Sequence, residues 1–193
     1  MTVRRPVAAL VVWFLAATSF VGLGGLGLLP PPFPQALVPA LTLLLAVTYG
    51  VTPAFRVWVN ALPASCFLAL HLSRFVGFYF LILYQRGELP YDFAVIRGWG
   101  DVLVAGLALV LLAVFRGSPP MSSLWLQSWN VLGLVDIIHV VSTAVRFAVS
   151  DPEAIAPLTY LPLGLLPTFL VPLIIFTHGI VLLRGLGLSR PAA

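Results

Sequence analysis

Seven polar side chains interrupt otherwise apolar stretches of this chain, and they are of the types that move protons, pair charges or ligate: His71, Arg74, Asp101, Asn130, Asp136, His139 and His178. An Arg or Asp at the centre of a membrane helix costs about 2.5 to 3.5 kcal/mol on insertion scales, so such residues persist where they are paired, wet or functional. Helical spacing decides which of them can meet. At about 100° per residue, Asp136, His139, Thr143 and Arg146 fall within a sector of about 80°, with Trp129 one heptad before Asp136. On another segment His71, Arg74, Phe78 and Gln85 share a face, so packing the two stripes together brings Arg74 near Asp136. A third segment puts Thr168, Val171, Ile175 and His178 on one face, with Pro172 weakening the backbone ladder before the histidine. A histidine exchanges a proton near neutral pH and a partner carboxylate sets when it does so. The chemistry in view is therefore proton relay, or a small polar cavity in which Arg74 holds an anion or tunes Asp136.

Each residue also has a structural role to set beside the functional one. Arg74 with Asp136 serves equally as a buried ion pair that keeps two helices in register. Asp101, in the first turn of its expected helix, complements the N-terminal dipole. His178 alone is a hydrogen-bonded packing residue, and Trp99, Tyr84, Tyr91 and Tyr160 are interface anchors. Cys66 stands alone in an apolar run, which leaves no disulfide or cysteine metal site within one chain and suits a small buried residue. His71 and His139, at similar depth on neighbouring helices, offer the two axial imidazoles of a b-type haem.

The elements that carry these residues follow from composition. Of 193 residues 61% are apolar and 8% charged, with a mean hydropathy of +1.09. A soluble domain is about half apolar and about a quarter charged, which excludes an ordinary soluble enzyme. A span needs roughly 20 apolar residues, and the sequence predicts an all-α membrane protein of about six transmembrane helices in a single integral membrane domain, residues 1–193. The spans run about 7–29, 35–52, 62–84, 99–115, 124–149 and 161–183, the second and fourth being short enough to leave five as an option. Continuous apolar runs, without alternation, exclude a β-barrel. Residues 54–61 are expected along the membrane interface or as an extension of a neighbouring helix.

Arginine placement orients the bundle. Arg4, Arg5, Arg56, Arg116, Arg184 and Arg190 gather on one side, while Arg86, Arg97 and Arg146 lie toward the other with Glu88, Asp92, Asp151 and Glu153. Both termini are therefore expected in the cytoplasm. The first span begins like a signal peptide, but its apolar stretch is too long for one. The ten basic residues are all arginine, with no run longer than Arg4-Arg5, so no nucleic-acid surface is implied. Gly22-Leu23-Gly24-Gly25-Leu26-Gly27 lies in an apolar span without the strand that a dinucleotide fingerprint requires, and fits close packing or a helix end instead. Ser73 and Gly77 make a small-xxx-small packing pair. No P-loop, HExxH, GxSxG or CxxC pattern occurs, so catalytic and metal residues are not assigned.

From Arg74 onward the chain resembles a broadly distributed family of small bacterial integral membrane proteins with no assigned activity. The resemblance rests on Gly87-Glu88-Leu89-Pro90 and Phe93-Ala94 leading into Gly98-Trp99-Gly100-Asp101, on Trp129-Asn130 with Gly133 and Asp136, and on Pro167-Thr168-Phe169-Leu170-Val171-Pro172 followed by His178. It implies a polytopic protein of the bacterial cytoplasmic (inner) membrane whose recurring polar positions match Arg74, Asp101, Asn130, Asp136 and His178. His71 and His139 lie outside that pattern.

Three functions of different class are compatible with these residues. As a proton or small-solute conduit, the protein lines a polar site with Arg74, Asp101, Asn130, Asp136, His139 and His178, and with six spans and no internal repeat it calls for a homodimer. As an accessory subunit of a larger membrane complex, it needs only its helices and structural ion pairs. As a redox protein it holds haem b between His71 and His139. The bilayer is the partner common to all three.

Overall fold

The computed structural model describes residues 4–188, which places Arg190 outside the described residues. The described chain is helical, without a strand. Helix α1 spans Arg4–Gly22, α2 Phe33–Val51 and α3 Pro53–Ala61. The third long helix, α4, runs Ala64–Gln85, α5 Asp92–Val114, α6 Leu124–Ser150 and α7 Leu166–Gly185. All except α3 are long and apolar enough to cross a membrane, which gives six candidate spans.

Prolines and glycines set the ends. Pro53 and Pro63 push the residues before them out of the helical region, so Thr52 (ψ 99°) and Leu62 (ψ 132°) bracket α3 as a short helix of its own. Pro152 likewise ends α6 at Asp151 (φ −156°). Gly87, at φ +75°, closes α4 with its N–H on the Tyr84 carbonyl and the Glu88 N–H on that of Leu83, a reversal that a side chain at this φ would strain. Three expected boundaries move for local reasons. The first span ends at Gly22, where Gly22 to Gly27 turn instead of continuing. The fourth begins at Asp92 and not near Trp99, because residues Asp92–Arg97 wind as a π-helical turn into α5. The last begins at Leu166, after turns around Pro162, again through a π-helical turn, Leu166–Leu170.

The packing centre is α4 to α7. Helix α5 lies against α4 and α6, α6 against α7, and α7 against α2. Helix α1 meets this bundle at the start of α7: Trp13 donates its indole N–H to the Thr168 carbonyl at 3.0 Å, and Trp13 and Phe14 set their rings edge-on to Phe169. Tyr84, Tyr91, Trp99 and Tyr160 are exposed, and so is Cys66, which faces outward from α4 instead of packing inside.

The apolar core is in two parts. One gathers Phe80, Phe93, Ile137, Ala144 and Ile174; the other gathers Phe67, Val104, Leu126, Trp129 and Ile180. Each of α4, α5, α6 and α7 contributes to both; His71 and Arg74, Asp101 and Asn130 are buried between the two contributions of α4, α5 and α6, and Thr177 with His178 follow Phe176, where α7 enters the second core. A polar layer thus lies across the bundle between two dry cores.

Candidate functional site

Arg74 is the centre of the layer. It sits in Leu72–Val76, where α4 tightens from α-helical to 3₁₀ winding, and is 1% exposed. Its guanidinium donates from Nε to Asp101 Oδ1 at 2.6 Å, from Nη1 to the Gly133 carbonyl at 3.0 Å, and from Nη2 to Asp136 Oδ2. One planar fork therefore ties α4 to α5 and α6. The Asp101 side chain is 5% exposed and that of Asp136 16%, so the α6 carboxylate is the more open of the two. The dipole-capping role expected for Asp101 gives way to this contact, because the added turn Asp92–Arg97 puts Asp101 well inside its helix.

Glycines make the space. A methyl group on Gly77 would meet the Gly98 carbonyl and approach Asp101 Cβ at 3.1 Å, so α4 and α5 cross nearly in backbone contact beside the ion pair. A methyl on Gly100 would overlap the Asp136 carboxylate, and one on Gly133 would stand 2.6 Å from His178 Cε1.

The other half of the layer is a histidine pair. His178 and His71 are wholly buried, with ring centroids 4.3 Å apart and planes at 61°. Trp129 sets its ring edge-on to His71 at 4.9 Å and gives its indole N–H to the Val104 carbonyl. Asn130 grips His178 twice, its Oδ1 lying 2.8 Å from the ring Nδ1 and its Nδ2 donating to the His178 carbonyl at 3.0 Å. His71 Nε2 lies 3.2 Å from the Thr177 hydroxyl.

Of the residues singled out in the sequence, Arg74, Asp101 and Asp136 come together, and so do Asn130 and His178. His139 does not join them: it is exposed, on the outer side of α6. The expected His71–His139 ligand pair is thereby corrected, since one ring points into the bundle and the other out of it. The neighbour His71 does have, His178, packs ring against ring and leaves no slot for a porphyrin, so the residues present do not fit haem. Thr143 turns to Arg97, accepting from its Nε at 3.1 Å, and Arg146 pairs with Asp92 in the open. Sequence reasoning missed the Gly133 carbonyl and Thr177. The available signal was position, Gly133 falling three residues from both Asn130 and Asp136, and Thr177 adjoining His178.

A family model described as a domain of unknown function (DUF8737) matches residues 31–185. The chain belongs to this family. No curated protein and no solved structure matches it. The DUF8737 region contains every residue of the polar layer and starts well before Arg74, whereas α1, Arg4–Gly22, lies outside it.

Proposed function

We propose that this protein binds a proton inside the membrane and moves it, alone or with a small solute, with Asp101 and Asp136 as the exchanging carboxyls and Arg74 as their fixed counter-charge. One observation carries the proposal: a fully buried arginine faces two carboxylates where register would need only one. The trio has one negative charge in excess when both carboxyls are ionised and none when a single proton is bound. In a low-dielectric interior that difference is large, so proton binding dominates the electrostatics of the site. Asp136, the more open carboxyl, is the entry and exit point.

The two apolar cores argue for occlusion rather than a standing water column. Exchange with either side then requires the helices to shift, and the 3₁₀ stretch at Arg74 and the π turn opening α5 are places where helical winding already departs from regular. In keeping with the arginine distribution, the layer belongs to a bacterial inner-membrane protein with cytoplasmic termini.

The test is proton flux into liposomes that contain the full chain and a trapped pH-sensitive dye, driven by a potassium diffusion potential. The wild type is expected to acidify the lumen well above protein-free vesicles, and Asp136→Asn to lower the initial rate at least tenfold while remaining folded. A wild-type rate equal to that of empty vesicles would falsify the proposal and leave the ion pairs as the scaffold of an accessory subunit.

A further inference from the structure

Two nitrogen atoms in the polar layer, His71 Nδ1 and His178 Nε2, are buried without a hydrogen-bond partner. Buried polar atoms are seldom left so, and each such case calls for an explanation. The partners of the other two ring nitrogens fix where the protons are. The Thr177 hydroxyl donates to the Ile174 carbonyl at 2.9 Å, so toward His71 it can only accept, and the His71 proton is on Nε2. The Asn130 amide NH₂ is directed at the His178 carbonyl, so its oxygen faces the ring, and the His178 proton is on Nδ1. With these partners the two rings, when neutral, are opposite tautomers set by Thr177 and Asn130, and each keeps one bare lone pair.

We infer that His71 and His178 form a second seat for the proton of the carboxylate trio, taking one proton between them. Three features of the layer support this. The rings are packed in direct contact, 4.3 Å between centroids, and each carries a buried nitrogen without a partner. The His178 ring lies against Gly133, whose carbonyl is bonded to Arg74, so the pair adjoins the trio directly. The exchange also balances: an O–H bond of Asp101 or Asp136 breaks, an N–H bond forms at a bare imidazole nitrogen, and a carboxylic acid with a neutral ring becomes a carboxylate with an imidazolium. The net charge of the layer is zero before and after. Because the rings touch, acquisition of a proton by one disfavours acquisition by the other, and the two titrate as a unit.

The charged groups on the elements around the pair are few. They are Arg74 on α4, Asp101 on α5 and Asp136 on α6. Arg97 bonds to Thr143 and, with the exposed His139, also lies near enough to Asp136 for its charge to act on that carboxyl; Arg146 is exposed, and Arg184 reaches the Leu62 carbonyl at the far end of α7. Helix α2 carries no charged residue. The carboxylates are thus the one source of negative charge that an imidazolium would meet in the layer.

This inference rests on the proton-binding reading and is tested separately from flux. The full chain, with His139→Gln so that only the two buried rings are observed, is labelled with ¹⁵N-histidine and studied by NMR in lipid bilayers as pH is lowered. The expected spectrum shows one ring protonated at Nε2 and the other at Nδ1, then a single imidazolium for the two rings on acidification. In Asp136→Asn the layer is neutral without a proton, and the imidazolium is expected to vanish. Identical tautomers, two independent protonations, or rings that stay neutral until the protein unfolds would each overturn the inference. If one imidazolium forms but liposomes show no flux, the seat stands and the transport reading falls. If flux is present while both rings stay neutral, the transport reading stands and the seat falls.

Discussion

Arg74 has five N–H donors and is buried among the helices, which makes its identity more demanding than its charge. Three partners on two other helices take its fork. Lysine offers a point charge on a flexible stem and cannot span them. Arg74→Gln leaves two buried carboxylates without a cation, and a thermal unfolding series in detergent is expected to show a loss of about 3–5 kcal/mol. Arg74→Gln with Asp101→Asn removes one charge of each sign and is expected to recover part of it; equal destabilisation of the single and double variants would show that charge balance is not what Arg74 supplies. The Arg74–Asp136 meeting was legible in the sequence because both residues lie on helical stripes whose period is local. Asp101 as a second partner was not, since its role depends on where α5 starts, and Asp92 and Arg97 look like loop residues until the π turn carries them into the helix. His139 misled for a related reason: it is three residues from Asp136, close enough in angle to share a stripe, yet α6 turns that edge of the stripe outward.

Between α4 and α5 the contact is set by two glycines, and the sign of a substitution there separates propensity from packing. In an open helical position Gly→Ala gains up to about 1 kcal/mol of helix propensity. Gly106 of α5 has nothing within 4 Å of where its Cβ would be, so Gly106→Ala is expected to be neutral or mildly stabilising. Gly77→Ala places the same methyl against the Gly98 backbone and Asp101 and is expected to lose about 1–3 kcal/mol by overpacking, read as a lowered unfolding temperature. If both variants shift stability alike, the close crossing is not what positions Asp101. Most helices were legible as apolar runs of spanning length. Their ends were not, wherever a turn depended on tertiary packing: the Gly22–Gly27 stretch is apolar enough to extend α1, but the chain turns there and buries Leu26 completely.

With the six candidate spans alternating in direction, the connections that carry Arg56 and Arg116 fall on one side and those that carry Glu88, Asp151 and Glu153 on the other. The proposed orientation is checked by thiol labelling of intact cells in a Cys66→Ser background. Glu153→Cys is expected to react with a membrane-impermeant maleimide, and Arg116→Cys only after permeabilisation; the opposite pattern would invert the topology. The layered core could not be read from the sequence, because it appears only when four helices are aligned in depth, and no single helix shows it. That alignment has an electrical consequence. A charge midway through the bundle, with dry protein on either side, lies part-way down the voltage across an energised membrane. Carrying one elementary charge the full distance corresponds to about 2.3 kcal/mol per 100 mV, so reaching mid-depth corresponds to roughly 1 kcal/mol. Collapsing a potential of about 100 mV would then change the occupancy of such a site several-fold with no change in pH.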